Sequence, residues 1–258
     1  MVEYMRGMWN AHLGNFSPLL GIDHLAEEIE KNMTNRAWRK VFAPRCEFTT
    51  RIVTLGQEDA FLATDNTWLV RSKQPADGGI VECPEQAVMI FNADCPIVVI
   101  FDEQQERLAV LHAGLDCLLP RAIFDRRAEK KQKRSIIEVC VEDHNFHPAS
   151  LRAFVGFGIG PCCYGIEHRQ DILQNPSIDL PVSRTTRGPR SRPVSQRSVD
   201  LFTLAVNQLT KLGVPEDRIE VDYECTSCAN SAGVYRYHSN VRSGGAAPRN
   251  ASFAWFLH

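Results

Sequence analysis

Cys95 and His112 are the two side chains of this 258-residue chain whose types and spacing most directly suggest joint chemistry. Cys95 stands in Asn92-Ala93-Asp94-Cys95-Pro96, immediately before the apolar run 97–101. His112 closes a second apolar run, 108–111, and leads into Ala113-Gly114. The polar stretch 102–107 between the runs reads as a hairpin connection. Cys95 lies about nine residues before the centre of that turn and His112 about eight after it, so antiparallel pairing predicts both near one end of the hairpin. A thiolate and an imidazole so placed can bind Zn2+ or act as nucleophile and base. The same two residues also fit a buried free thiol beside a histidine bonded to the backbone.

Other cysteines offer less. Cys225-x-x-Cys228 is a soft pair, but a zinc ribbon needs a second pair at similar spacing, and none is present. Gly158-Ile159-Gly160-Pro161-Cys162-Cys163-Tyr164 follows an apolar run and reads as a tight turn, with Cys162 or Cys163 a minor candidate for lining a pocket. The nine cysteines are scattered, and the first residues carry neither a signal-peptide core nor a membrane-spanning run. A reducing, cytoplasmic setting with free thiols is the expectation.

The elements that must position these groups form an alternating α/β pattern. Hydrophobic residues make up 44% of the chain, enough for a full core in one domain. A formal net charge of −2 gives no global electrostatic reason for a nucleic-acid or acidic-membrane partner, and the basic run 126–134 reads as a solvated helix face. Apolar residues at Ile22, Leu25, Ile29, Met33, Ala37 and Val41 have helical spacing and predict a helix over 22–42. Short strands are expected at 48–53, 61–63 and 87–91, with Asp77-Gly78-Gly79 as a turn between them. Beyond the hairpin we expect a helix over 118–134, strands at 136–141 and 153–157, and an exposed Ser/Arg/Pro-rich loop at 183–198. A helix from Val199 or Asp200 to Leu212 and strands at 219–223, 234–237 and 253–257 complete the pattern. No internal repeat and no break into two domains is visible, and the residues up to about Pro18 show no clear period.

Taken together, NADCP, the later HAG, GIGPCCYGI, SVDLFTLAVNQLTKLGVPEDRIEV, ECTSC and PRNASFAWF resemble the YfiH family. Its members also carry the labels multicopper polyphenol oxidase (laccase) domain and purine nucleoside phosphorylase. The resemblance runs from about Leu25 to the end and implies a single α/β domain of layered α/β/β/α type. It also implies a zinc site made by the histidine of a QVHG motif, the cysteine of ADC and the histidine of HAG. The last two fall on Cys95 and His112, while QVHG aligns with Gln57-Glu58-Asp59-Ala60, so the third ligand position is Asp59. An aspartate oxygen can ligate zinc, giving a harder, more anionic site.

Three further positions depart from the family pattern. HAGWRG becomes His112-Ala113-Gly114-Leu115-Asp116-Cys117, so a carboxylate that would repel an anion stands where the family has arginine. The family's opening strand, with a motif like HGFFTRxGG, has no counterpart at the start of the chain, and Val234-Tyr235-Arg236-Tyr237-His238 replaces FFSYRR. The activity implied is zinc-dependent phosphorolysis of purine nucleosides, with adenosine deamination and methylthioadenosine cleavage as related reactions. Purine nucleosides and phosphate would be the partners, and Arg36, His238 and Arg249 remain as cationic candidates for the phosphate. Two alternatives stand beside it: a metal-free Cys–His hydrolase or amidase, and a catalytically impaired binding protein of the same fold. Coupled copper centres are not expected, since none of the eight histidines forms a His-x-His pair.

Overall fold

The computed structural model describes residues 3–9, 13–16, 22–32, 38–56, 60–62, 68–119, 134–166, 169, 172, 182–185, 196–245 and 248–257. Its first half contains β1 (Glu3–Trp9), α1 (Ile22–Asn32), β2 (Lys40–Ala43), β3 (Ile52–Thr54), β4 (Ala60–Leu62), β5 (Leu69–Ser72), β6 (Gly78–Val81) and β7 (Gln86–Asn92). The hairpin β8 (Ile97–Asp102) and β9 (Arg107–His112) follows, then the short helix α2 (Leu115–Leu118), α3 (Ile136–Glu138) and β10 (Leu151–Gly156). After these come β11 (Val182–Thr185), β12 (Gln196–Val199), α4 (Leu201–Lys211), β13 (Ile219–Val221), β14 (Asn230–Ser231), β15 (Val234–Tyr235), α5 (Asn240–Ser243) and β16 (Asn250–Leu257).

Two six-stranded sheets are stacked, one in the order β1-β16-β7-β2-β5-β4 and the other β13-β10-β8-β9-β6-β3. The central strands are apolar throughout because each side of each sheet is covered, and alternate side chains serve different cores. On β8, Ile97, Val99 and Phe101 join Val88 and Ile90 of β7 in the layer between the sheets. Val98 and Ile100 point the other way, into the cluster that holds Leu201, Phe202 and Leu209 of α4. On β7, Ala87, Met89 and Phe91 face Leu25, Ala26 and Ile29 of α1. The layers are therefore α/β/β/α, as the resemblance implied. Each fully buried Ile, Val, Leu or Phe in such a stack contributes roughly 1.5–3 kcal/mol relative to exposure. Asp200 caps α4, its Oδ1 accepting from Phe202 N at 3.0 Å and Thr203 N at 3.1 Å.

Several elements differ from the sequence expectation. The helix starting at Ile22 ends at Asn32, and the last part of the predicted span is strand β2, not helix. Val41 and Ala43 join the α1 core while Phe42 joins Val53, Val70 and Ala76, so consecutive apolar residues are divided between two faces. The strand expected at 136–141 is helical, α3 running into a π-helical turn at Val139–Asp143. A capping box decides it: Glu138 N donates to Ser135 Oγ at 3.2 Å and Ser135 N to Glu138 Oε2 at 2.7 Å. Helix α2 starts before the predicted 118–134 span, and residues 120–133 lie outside the described residues. The ends of the expected 183–198 loop pair as the β11–β12 ribbon. Asp77-Gly78-Gly79 is the entry to β6, not a turn. Near the N-terminus, where no element was expected, β1 pairs antiparallel with β16 along the edge of the first sheet.

Candidate metal and thiol site

The β8–β9 register sets Ile97 opposite His112, and Ala113 N donates to Pro96 O at 2.8 Å. The pairing continues past the strand ends, so Cys95 meets Gly114: a Cβ on Gly114 would lie 3.0 Å from Cys95 Sγ. Asn92 Nδ2 donates to Cys95 O at 2.8 Å and to Phe157 O at 2.8 Å, fixing the Cys95 turn against the exit of β10. The Cys95 and Cys117 thiols both bear electrostatically on the His112 imidazole. The hairpin thus brings the two sequence-predicted residues together.

A third residue, which sequence reading took for part of a turn, completes the group. Gly78 pairs with Leu111 and His112 N donates to Asp77 O at 2.7 Å, so Asp77 and His112 are cross-strand neighbours of β6 and β9. Asp77 is 0% exposed, and its Oδ1 lies 2.6 Å from His112 Nδ1. The rest of its carboxylate is enclosed by the segment before β3: Glu47 N at 3.1 Å, Phe48 N at 3.1 Å, Thr49 N at 2.6 Å and Thr49 Oγ1 at 2.9 Å all donate to it. To make these contacts Phe48 adopts φ 57°, in the left-handed region, and its ring sits 5.3 Å from that of His112. Burial pushes the Asp77 pKa up, but the bonds from His112 and Thr49 outweigh it and hold the carboxyl below its ordinary value. For His112, burial pulls down, while the Cys95 charge and the Asp77 bond lift the imidazole well above its ordinary value.

Asp77 on Nδ1 leaves Nε2 as the nitrogen that could coordinate a metal in place of its proton, the carboxylate–histidine arrangement that orients imidazole ligands in metal sites. A thiol beside an imidazole held in this way is a donor pair that fits zinc. Cys46 adds another sulfur: its Sγ, an Asp77 oxygen and a His112 nitrogen lie within 4.8 Å of one another. Burial raises the Cys46 thiol to about 12 and the Cys117 thiol to about 11, so without a cation both stay protonated.

The other predicted site residues fare differently. Asp59 and Arg36 lie outside the described residues. His238 directs Nε2 to Gly14 O at 2.9 Å, and its backbone N donates to Asn250 Oδ1. Arg249 N donates to Asn15 Oδ1 at 3.1 Å while Arg249 O accepts from Phe16 N at 3.0 Å, tying the N-terminal segment to β16. Asp116, the carboxylate in place of the family arginine, is ion-paired at 2.8 Å with Arg169. Sequence reading also missed Arg71. It is 8% exposed, its Nη1 has no hydrogen-bond partner among the described residues, and it acts electrostatically on Cys46. Burial lowers its pKa to about 10. An open cavity of about 470 Å3 beside Phe154 and Glu220 contains none of these groups. Among the described residues no helix is long and apolar enough to cross a membrane.

The model of the family described as multi-copper polyphenol oxidoreductase laccase matches residues 26–257. The purine nucleoside phosphorylase YlmD of Geobacillus stearothermophilus is 32% identical over 110 residues, 41% of this chain and 36% of that protein. The match thus spans only about a third of that relative. Among solved structures, YlmD of the same organism superposes with a TM-score of 0.69 at 18% identity, covering 99% of this chain and 92% of that one. The hypothetical protein YfiH of Bacillus licheniformis gives a TM-score of 0.62 at 21% identity, covering 90% and 81%. A Neisseria meningitidis protein gives 0.61 at 16% identity, covering 95% and 86%. With its fold and nearly its whole length matched, the chain belongs to the YfiH family, also described as multi-copper polyphenol oxidoreductase laccase.

Proposed function

We propose that this protein is a zinc-dependent purine nucleoside phosphorylase that uses Cys95 and His112 as metal ligands, with Asp59 as the third. The observation that carries this reading is the buried Asp77–His112 pair, 2.6 Å apart, at the strand end where the hairpin register also sets Cys95. Zinc held there would supply Lewis acidity and, for adenosine deamination, a water of lowered pKa. Asp77 holds the Nδ1 edge of His112 in one orientation, and the ring of Phe48 lies against the imidazole. Phosphorolysis also needs an anion beside the ribose, attacking the anomeric carbon as the purine leaves. Arg71 suits that anion better than His238, whose ring is committed to the Gly14 carbonyl. Arg36 and Arg249 remain candidates on sequence grounds. The chain acts as one catalytic domain in the cytoplasm.

The test combines metal analysis with an inosine plus phosphate assay on wild type, Cys95→Ala and Asp59→Ala. The reading expects bound zinc and phosphate-dependent hypoxanthine release in wild type, both reduced in the variants. Wild-type protein that binds no zinc and releases no base overturns it. The same residues also support a metal-free thiol hydrolase, since a cysteine, a histidine and a carboxylate that orients the histidine are a nucleophile, its base and an orienting group. Amide hydrolysis that survives a strong chelator and disappears in Cys95→Ala would select that second reading.

A further inference from the structure

Away from Cys95, four other sulfurs converge. The Sγ atoms of Cys162, Cys163, Cys225 and Cys228 all lie within 4.8 Å of one another, with Cys162 Sγ 3.6 Å from Cys228 Sγ. All four are free thiols. They come from two turns that pack side by side, one after β10 and one after β13. Gly158 and Cys225 form a parallel bridge, and Thr226 N donates to Gly158 O at 2.9 Å. Cys163 N donates to Gly160 O at 3.0 Å and Ala229 N to Cys225 O at 2.9 Å, so each turn is closed on itself before the sulfurs meet. The backbones approach closely at Gly160, where a Cβ would stand 3.2 Å from Cys225 Cβ and 3.3 Å from Cys162 Sγ.

One sulfur pair at 3.6 Å, with all four within 4.8 Å of one another, is close to the spacing of a tetrahedral metal site. Four thiolates about 2.3 Å from a central ion are separated from one another by about 3.8 Å. A disulfide would join sulfurs at about 2.05 Å and would engage them only in pairs. Spacing along the chain hides the group, because the partner of the Cys225-x-x-Cys228 pair is the adjacent Cys162-Cys163 and not a second CxxC. We propose that Cys162, Cys163, Cys225 and Cys228 form a closed tetrathiolate site for a thiophilic divalent cation, zinc, that clamps the turn after β10 to the turn at 225–228.

The clamp bears on the wall that carries Cys95. Thr226 Oγ1 donates to Asp94 Oδ1 at 2.9 Å, Ile159 N to Asp94 O at 2.6 Å and Val241 N to Asp94 Oδ2 at 2.7 Å. Both clamped turns therefore hold the residue immediately before Cys95. With every coordination position occupied by sulfur, the site is structural and takes no substrate.

The experiment isolates this site by working in the Cys95→Ala full-length protein, where the Cys95–His112 pair cannot bind a metal as proposed. Purified under reducing conditions, this variant is expected to keep a full equivalent of tightly bound zinc. Replacing zinc with cobalt(II) should give the intense thiolate-to-cobalt charge-transfer bands and visible d–d bands of a tetrahedral tetrathiolate. Adding Cys162→Ser and Cys228→Ser should abolish both the zinc and the bands. Should those changes prevent folding, titration of the Cys95→Ala protein with a mercurial reagent serves instead, and zinc should be released in step with thiol modification. A Cys95→Ala protein that binds neither zinc nor cobalt overturns the proposal, as does bound metal that survives the double substitution. A disulfide among these four cysteines in metal-free protein also overturns it.

Discussion

Replacing Asp77 with asparagine tests the architecture of the site at its least exposed point. The carboxylate accepts from the backbone of Glu47, Phe48 and Thr49, from the Thr49 hydroxyl and from His112. Asparagine keeps the volume but turns one acceptor into an NH2 that must face donors, and it removes the charge opposite the imidazole. Removing one partner of a buried, hydrogen-bonded pair costs about 3–5 kcal/mol, against about 1 kcal/mol for an ordinary neutral bond. At roughly 2–4 °C per kcal/mol for a protein of this size, Asp77→Asn should melt roughly 6–20 °C below wild type. Loss of a carboxylate behind a ligating histidine also weakens metal binding, by about 10–100-fold. Thr49→Ala, which deletes one neutral donor, should cost about 1 kcal/mol and leave metal affinity within a few-fold. Urea unfolding of metal-free protein and competition with a chromophoric chelator measure the two effects separately. If Asp77→Asn falls within about 0.5 kcal/mol of wild type and binds zinc equally well, Asp77 neither orients His112 nor anchors the 47–49 segment, and the account of the site fails.

Three further outcomes follow from particular contacts. Gly114→Ala would place a methyl 3.0 Å from Cys95 Sγ, so it should cut zinc content and any turnover sharply, as metal analysis of the purified variant would show. Asp102 is 0% exposed and accepts from His147 N, Ser150 Oγ, Gln104 N and Gln105 N. Burial pushes its pKa up, but these bonds outweigh burial and hold it below 3.8. A carboxyl depressed in the fold stabilises above its unfolded pKa and loses that contribution as pH falls through the folded value. Wild type should therefore lose stability below pH 3.8 by an increment that Asp102→Asn lacks, visible in urea midpoints compared across acid pH. Asp200→Ala removes the cap of α4 and should cost about 1 kcal/mol in thermal unfolding without changing metal content.

The hairpin was legible because a polar turn between two apolar runs fixes the register by counting, and the register alone joins Cys95 to His112. Asp77 was not legible. Asp-Gly-Gly is turn chemistry in isolation, and only the pairing of β6 with β9 reveals a buried strand entry with its carboxylate facing the histidine. The helix at Ile136 was misread because its β-branched residues favour a strand. The sequence nevertheless spells S-x-x-E at Ser135 and Glu138, a capping signal that outranked the branched residues. Helical spacing likewise ran on past Asn32 into residues that divide between two cores, where burial on both faces decides for a strand. The four-sulfur group lies further out of reach, since adjacent cysteines match no ligand spacing until β10 and β13 pair in parallel.

Asp116 shows how a departure from a family motif changes meaning in space. Along the chain it replaces a cation with an anion beside His112, which would repel a phosphate. In the fold its carboxylate accepts from Arg169 Nη2 at 2.8 Å, so the charge at that edge of the site is paired. The exchange of arginine for aspartate is matched by an arginine brought in from the segment after Cys163. Tyr164 lies within the field of Cys95, Arg169 and Asp116 together, so the ion pair and the thiol share one neighbourhood. Arg71, which acts electrostatically on Cys46, has a buried Nη1 with no hydrogen-bond partner among the described residues. Burying a guanidinium donor without a partner is costly, whereas an anion bound against it would supply the missing acceptor. With Arg169 paired to Asp116, Arg71 is the buried cation beside Cys46 that could take over the anion-holding part of the HAGWRG arginine.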